Sequence, residues 1–258
     1  MTPWLQWLEP PYVNHPEHSG WFLRAQGVHP GPLCVVHACA WSGPDVCGVD
    51  APARLGGVFV TPADVVLGLR GWPDAHEWVD PTTGAPVALF DLEKIIRMML
   101  RQDGLALHIL GASGLHGPPD GEGSSLARAV VHACLHRGIA RHYTDLVRGL
   151  QARPFHAWSA GALAPVITGA ALVSQGVFGL DVRALADLWP DSAVRASVED
   201  PQDERAAQAA LAACAARLDP QRSVLPERPT DYDAACRMLV EQRLQAMASA
   251  PLWSPPDA

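Results

Sequence analysis

The chain has 258 residues, 48% of them hydrophobic and 18% charged, which excludes a disordered protein and leaves room for two compact parts. A formal net charge of −8 excludes a protein that coats DNA or a membrane surface through bulk positive charge. No stretch approaches the ~20 apolar residues that cross a bilayer, and the six cysteines lack the CxxC spacing of a zinc cluster.

Residues 1–120 hold 6 Lys+Arg against 12 Asp+Glu, while 121–258 hold 13 against 15, so positive charge leans toward the second part. The opening MTPWLQWLEPPYVNHPEHSG has no basic start, apolar run or cleavage site of a secretory signal, so the expected location is the cytoplasm. Trp4, Trp7 and Leu8 are expected to clamp this segment onto the folded body.

Residues 31–60 read as two strands around an irregular loop, PLCVVHACAW and LGGVFV. Thr61 is the expected cap, and Pro62 the first residue, of a short helix through ADVVLGL. PVALF gives a third strand. Directly after it, Leu92, Ile95, Ile96 and Met99 fall at i, i+3, i+4 and i+7, an amphipathic helix with Asp91 in the capping position.

GASGLHGPPDGEGSS, residues 111–125, is the expected linker because glycine, proline and serine crowd out packing residues. The division is placed at 1–118 and 119–258. Helices are expected at about 125–150, 156–175, 181–189, 201–218 and 230–248, with starts near Asp200-Pro201 and Thr230 for the last two and no strand between them.

The order of these elements, with GVFV, TPADVVLGL, PVALFDLEKIIRMMLRQDG and the late LPERPTDYDAACRMLVEQR, resembles one family. These are the predicted bacterial nucleotidyltransferases of the DNA polymerase β superfamily, whose helical second half is related to HEPN domains. The resemblance implies an α+β fold: a small mixed β-sheet domain, then an all-α helical bundle. It also implies a Gly-Ser turn that holds nucleotide phosphates. Two carboxylates at alternate positions of the second strand, with a third nearby, would bind Mg²⁺ for in-line transfer.

The sequence departs from that pattern where the chemistry should lie. Pro52 and Arg54 stand where the two strand acids belong, and His37-Ala38 or Ala40-Trp41 takes the place of the Gly-Ser turn. A guanidinium at Arg54 opposes a divalent cation, so no metal ligands are assigned. Mg²⁺ enters only if transferase activity remains. Ser42, Gly43, Asp50 and Arg54 are the candidate nucleotide-binding residues. Asp45, Asp50 and Asp91 form a candidate rearranged carboxylate cluster, against which stand two solvated loop aspartates and one helix cap.

HEPN ribonucleases carry Arg followed four to six residues later by His, and Arg137-Gly-Ile-Ala-Arg-His142 resembles that pattern. Arg137 and His142 are therefore the candidate catalytic pair, although an i,i+5 pair sits roughly 140° apart on a regular helix. A helix break near Gly138 or a facing partner subunit would be needed to join them. Arg137, Arg141 and Arg148 share one face, which offers phosphates of a nucleotide or RNA a basic stripe; the alternative is a solvated or salt-bridged face. The helical half also offers a surface for a homodimer. His132, His136 and Cys134 do not make a zinc site, because Cys134 points elsewhere on the helix.

Two functions follow. One is a nucleotidyltransferase-like protein with a degraded transfer site, acting in nucleotide binding or as an interaction module. The other is an active enzyme, either a transferase with relocated carboxylates or a ribonuclease using Arg137 and His142.

Overall fold

The computed structural model describes residues 4–8, 34–42, 53–68, 73–81, 84–112, 122–158, 161–189 and 192–249. A two-residue strand, β1 (Gln6–Trp7), precedes β2 (Cys34–Ser42), β3 (Arg54–Val60), β4 (Ala75–Val79) and β5 (Pro86–Asp91). The last four make one mixed sheet in the order β2-β3-β5-β4, with β3 and β5 parallel and the outer pairings antiparallel. Every β3 side chain after Arg54 is buried, as a strand covered on both faces requires.

Strand β4 is absent from the sequence reading. Its AHEWV alternates between half-buried and exposed on the sheet edge, and Pro73, Asp74, Asp80 and Pro81 around it read as turns. Between β3 and β4 lies α1 (Ala63–Val66), whose N-cap is Pro62. The expected Thr61 cap is thus corrected: the Thr61 hydroxyl turns away to donate to Asp91 Oδ2 at 2.6 Å.

After β5 the chain enters α2 (Leu92–Leu100), which buries Leu92, Ile95, Ile96 and Met99 as their spacing predicts. Asp91 caps it, accepting from the Glu93 N–H at 2.9 Å. A left-handed turn at Gln102 then leads to α3 (Gly104–Gly111), a helix the sequence reading lacks because its residues are apolar on all sides and show no period. Its N-cap is Asp103, which accepts from the Leu105 N–H.

The helix expected at 125–150 is two helices, α4 (Glu122–Cys134) and α5 (Ile139–Gln151), so the expected linker gives up both its ends. Distant groups satisfy the carbonyls that the break leaves open. The Thr230 hydroxyl donates to His132 O at 2.7 Å, the Thr230 N–H to Ala133 O, and the Gln102 side-chain amide to Cys134 O at 3.0 Å.

Next come a short 3-10 turn (Phe155–Ala157), α6 (Ala164–Gln175) and β6 (Val177–Phe178), a strand where none was expected. It pairs parallel with β1: the Gln6 N–H donates to Gly176 O at 2.7 Å and the Leu8 N–H to Phe178 O at 2.8 Å. Trp7 meets Phe178 edge-on and Trp4 meets His132, so the segment lies against the helical half as its tryptophans suggest. Gly176 ends α6 in the left-handed region, φ 69°, and a Cβ there would run into Trp4 O.

Among the described residues there follow α7 (Val182–Asp187), α8 (Ser192–Glu199), α9 (Glu204–Ala215), a 3-10 turn (Pro220–Arg222) and α10 (Tyr232–Ser249). The start of α9 is set by Asp203, which accepts from the Ala206 N–H, three residues later than the expected Asp200. At α10 the Ala234 N–H is taken by Asp231, while Thr230 serves the end of α4.

The fold is therefore mixed α+β. Helix α2 packs on β3 and β5, α3 and α4 pack on β2, and α10 crosses α1, α2 and α4. One buried cluster runs from Leu5 and Leu55 to Ala246. The boundary expected at 118 falls among residues 113–121, outside the described residues, and buried side chains on both sides of it belong to that cluster.

Candidate functional site

In an open α/β sheet the place for a ligand is the crevice beyond the carboxyl ends of parallel strands. Here those ends belong to β3 and β5 and bring Thr61 beside Asp91. Asp91 Oδ2 accepts from the Thr61 N–H at 3.0 Å and from its hydroxyl at 2.6 Å. Asp91 Oδ1 accepts from the Glu93 N–H at 2.9 Å and from Arg243 Nη2 at 3.3 Å. A carboxylate offers about four lone-pair positions, and four donors occupy them.

Arg243 comes from α10 and also holds Glu93 Oε2 at 2.7 Å, while Glu93 pairs with Arg97 one turn on. The Asp91 side chain is 5% exposed and that of Arg243 16%. Asp91 and Arg243 are largely shielded while Glu93 stays 30% exposed, and the shielded charges compensate one another. The other acid in the four-stranded sheet, Glu77, is exposed on edge strand β4.

Of the candidate nucleotide-binding residues, Ser42 and Arg54 are brought together: they are register partners at the end of the β2–β3 ladder where the chain passes from one strand to the other. Arg54 is exposed. Gly43 and Asp50 lie outside the described residues, as do Asp45 and Pro52. Among the described residues no three His, Cys, Asp or Glu side chains stand close enough to share a metal ion.

The break between α4 and α5 falls where the Arg137–His142 pair needs one, and each side chain has neighbours of its own. Arg137 Nη2 meets Glu227 at 2.6 Å and its N–H donates to Pro226 O. His142, on the first turns of α5, lies over Gly104 so closely that a Cβ there would collide with its ring, and it meets Tyr143 edge-on. Burial lowers the pKa of His142, and the charges of Asp103 and Asp145 oppose that shift.

Tyr143 OH stands 3.3 Å from His108 Nε2 of α3. Burial, then the charge of His142, lowers the His108 pKa to about 4, and burial raises that of the Tyr143 phenol. At neutral pH both are uncharged, so one hydrogen bond between neutral groups ties α3 to α5. Asp103, His108 and Tyr143 escaped the sequence reading. The one available signal was Asp103-Gly104, a capping residue before a residue without Cβ.

The basic stripe is largely engaged. Arg148 pairs with Asp145 at 3.0 Å, Arg137 pairs with Glu227, and Arg141 is exposed. These partners belong to the second half of the chain, not to the acidic first half.

Compared with protein-family models and with curated proteins, the chain matches none. Its functional reading rests on its own geometry. Among the described residues, no helix is long and apolar enough to cross a membrane.

Proposed function

We propose that this chain is a nucleotidyltransferase-like protein of the DNA polymerase β superfamily, with HEPN-like helices, that has lost metal-dependent transfer. It acts in the cytoplasm as a nucleotide-binding or interaction module. One observation carries the reading. The acid at the carboxyl ends of the parallel strands, Asp91, has its oxygens taken by Thr61, the Glu93 N–H and Arg243.

In-line transfer needs carboxylates whose oxygens are free to hold Mg²⁺ against a triphosphate. Asp91 serves instead as a helix cap and as an anchor for α10. The cation at Arg54, opposite Ser42, suits an anionic phosphate better than a divalent ion.

The test is titration of the full chain with each of the four ribonucleoside triphosphates, with and without Mg²⁺, beside a label-transfer assay on total RNA and protein. Heat of binding that is equal without Mg²⁺, and weakened in Arg54→Ala, is the result expected of a binding module. Silence with all four nucleotides assigns the chain to protein interaction. Mg²⁺-dependent label transfer that disappears in Asp91→Asn overturns the reading.

A further inference from the structure

Helices α6, α7, α8 and α9 and the Phe155–Ala157 turn line an open-mouthed cavity of about 200 Å³ that shares no residue with the sheet clasp. Its inner wall is made of Ile167, Val182, Val198 and Ala207, all buried. Close-packed interiors leave few spaces of this size, and here small residues preserve it: Gly161, Ala162, Ala164 and Ala207 stand where larger side chains would fill it.

The outer wall is held rigid. Trp158 Nε1 donates to both Leu150 O at 3.1 Å and Arg153 O at 3.3 Å, and Phe155 meets its ring edge-on at 5.3 Å. The lining contains no Lys, Arg, Asp or Glu among the described residues. Of its polar side chains, His156 and Gln202 are exposed at the solvent end, while buried Ser197 spends its hydroxyl on Val194 O at 2.8 Å. Arg153 and Glu204 line an adjoining groove that shares Phe155, His156 and Trp158 with the cavity.

We propose that this cavity binds a small uncharged aromatic molecule, one ring system bearing a hydrogen-bonding group. The ring lies between Trp158 and the Ile167–Val182 wall, and its polar group meets Gln202 or His156 at the mouth. Size and chemistry both select this class. The volume exceeds the roughly 150 Å³ that admits benzene and falls short of the roughly 300–1,000 Å³ of drug-sized sites. A carboxylate or phosphate inside would find no cation to compensate the loss of water. This site goes beyond the nucleotide reading and stands or falls independently of it.

The experiment is calorimetric titration of the full chain with phenol and indole as neutral probes and benzoate as the charged one. Saturable binding of a neutral probe, with benzoate about tenfold weaker or more, is expected. Ala207→Leu, which fills the floor, is expected to weaken the neutral probe about tenfold or more while circular dichroism stays unchanged. Ala162→Leu at the mouth gives the same readout should the first variant fail to fold. The proposal is overturned if neither neutral probe binds saturably, if benzoate binds as tightly, or if a folded variant binds unchanged.

Discussion

Arg243 reaches Asp91 across 152 residues of chain, Nη2 to Oδ1 at 3.3 Å, and by doing so fixes the last described helix to the end of a central strand. Both side chains are largely shielded from solvent, so the Asp91 charge depends on Arg243, which Glu93 also holds at 2.7 Å.

Arg243→Met should therefore cost about 3 kcal/mol, because it leaves a buried carboxylate without its cation. The double variant with Asp91→Asn should recover part of that loss, since the stranded charge goes with it. Urea unfolding of the two singles and the double measures the coupling. Strictly additive losses would mean that the ion pair contributes nothing of its own.

Stability should fall as pH drops below neutrality. His108 titrates near 4 in the folded protein against an ordinary 6.5, so between those values the unfolded chain binds more protons and folding weakens. The contribution is complete above about pH 6.5 and is lost toward pH 4, on the order of 2–3 kcal/mol in all. His136 and His142, also lowered by burial, act in the same direction. Thermal unfolding between pH 7.5 and 5 should show a shallower slope in His108→Gln, which keeps a partner for Tyr143 but does not titrate.

Gln102 is a three-way staple. Its amide nitrogen donates to Met99 O at 2.6 Å and Cys134 O at 3.0 Å, and its oxygen accepts from the His136 N–H at 3.1 Å. Gln102→Leu takes the side-chain partner from Cys134 O and from the His136 N–H, while Met99 O keeps the residue-102 N–H, and should cost about 2–3 kcal/mol. Hydrogen exchange at His136 should quicken more than at residues in the middle of α5.

Gly176→Ala should destabilise by about 1–3 kcal/mol, from the left-handed backbone and from the clash with Trp4 O together. Residues 4–8 should then become cleavable by protease before the body of the protein unfolds.

What could be read from the sequence was what neighbours in the chain decide. Helix α2 and its Asp91 cap follow from a local period and a local hydrogen bond. Helix α3 carries no period, and β4 hides among turn residues. The break after Cys134 is set by Gln102, Pro226 and Thr230, partners no window around it contains. The site divides in the same way. Asp91 reads as a cap from its place before Leu92, but Arg243, which closes it, is invisible from there. Helix geometry alone sets Arg137 and His142 apart, but the partner that engages Arg137, Glu227, lies 90 residues on and is invisible from there.

The pairing of β1 with β6 imposes an order on biosynthesis. Residues 6 and 7 leave the ribosome long before Val177 and Phe178, so the strip they form must wait, unpaired, while some 170 further residues are translated. Trp7 meets the Phe178 ring only at the end of that interval. A chain halted before β6 therefore lacks the ring that meets Trp7 and leaves that tryptophan to any chaperone at hand.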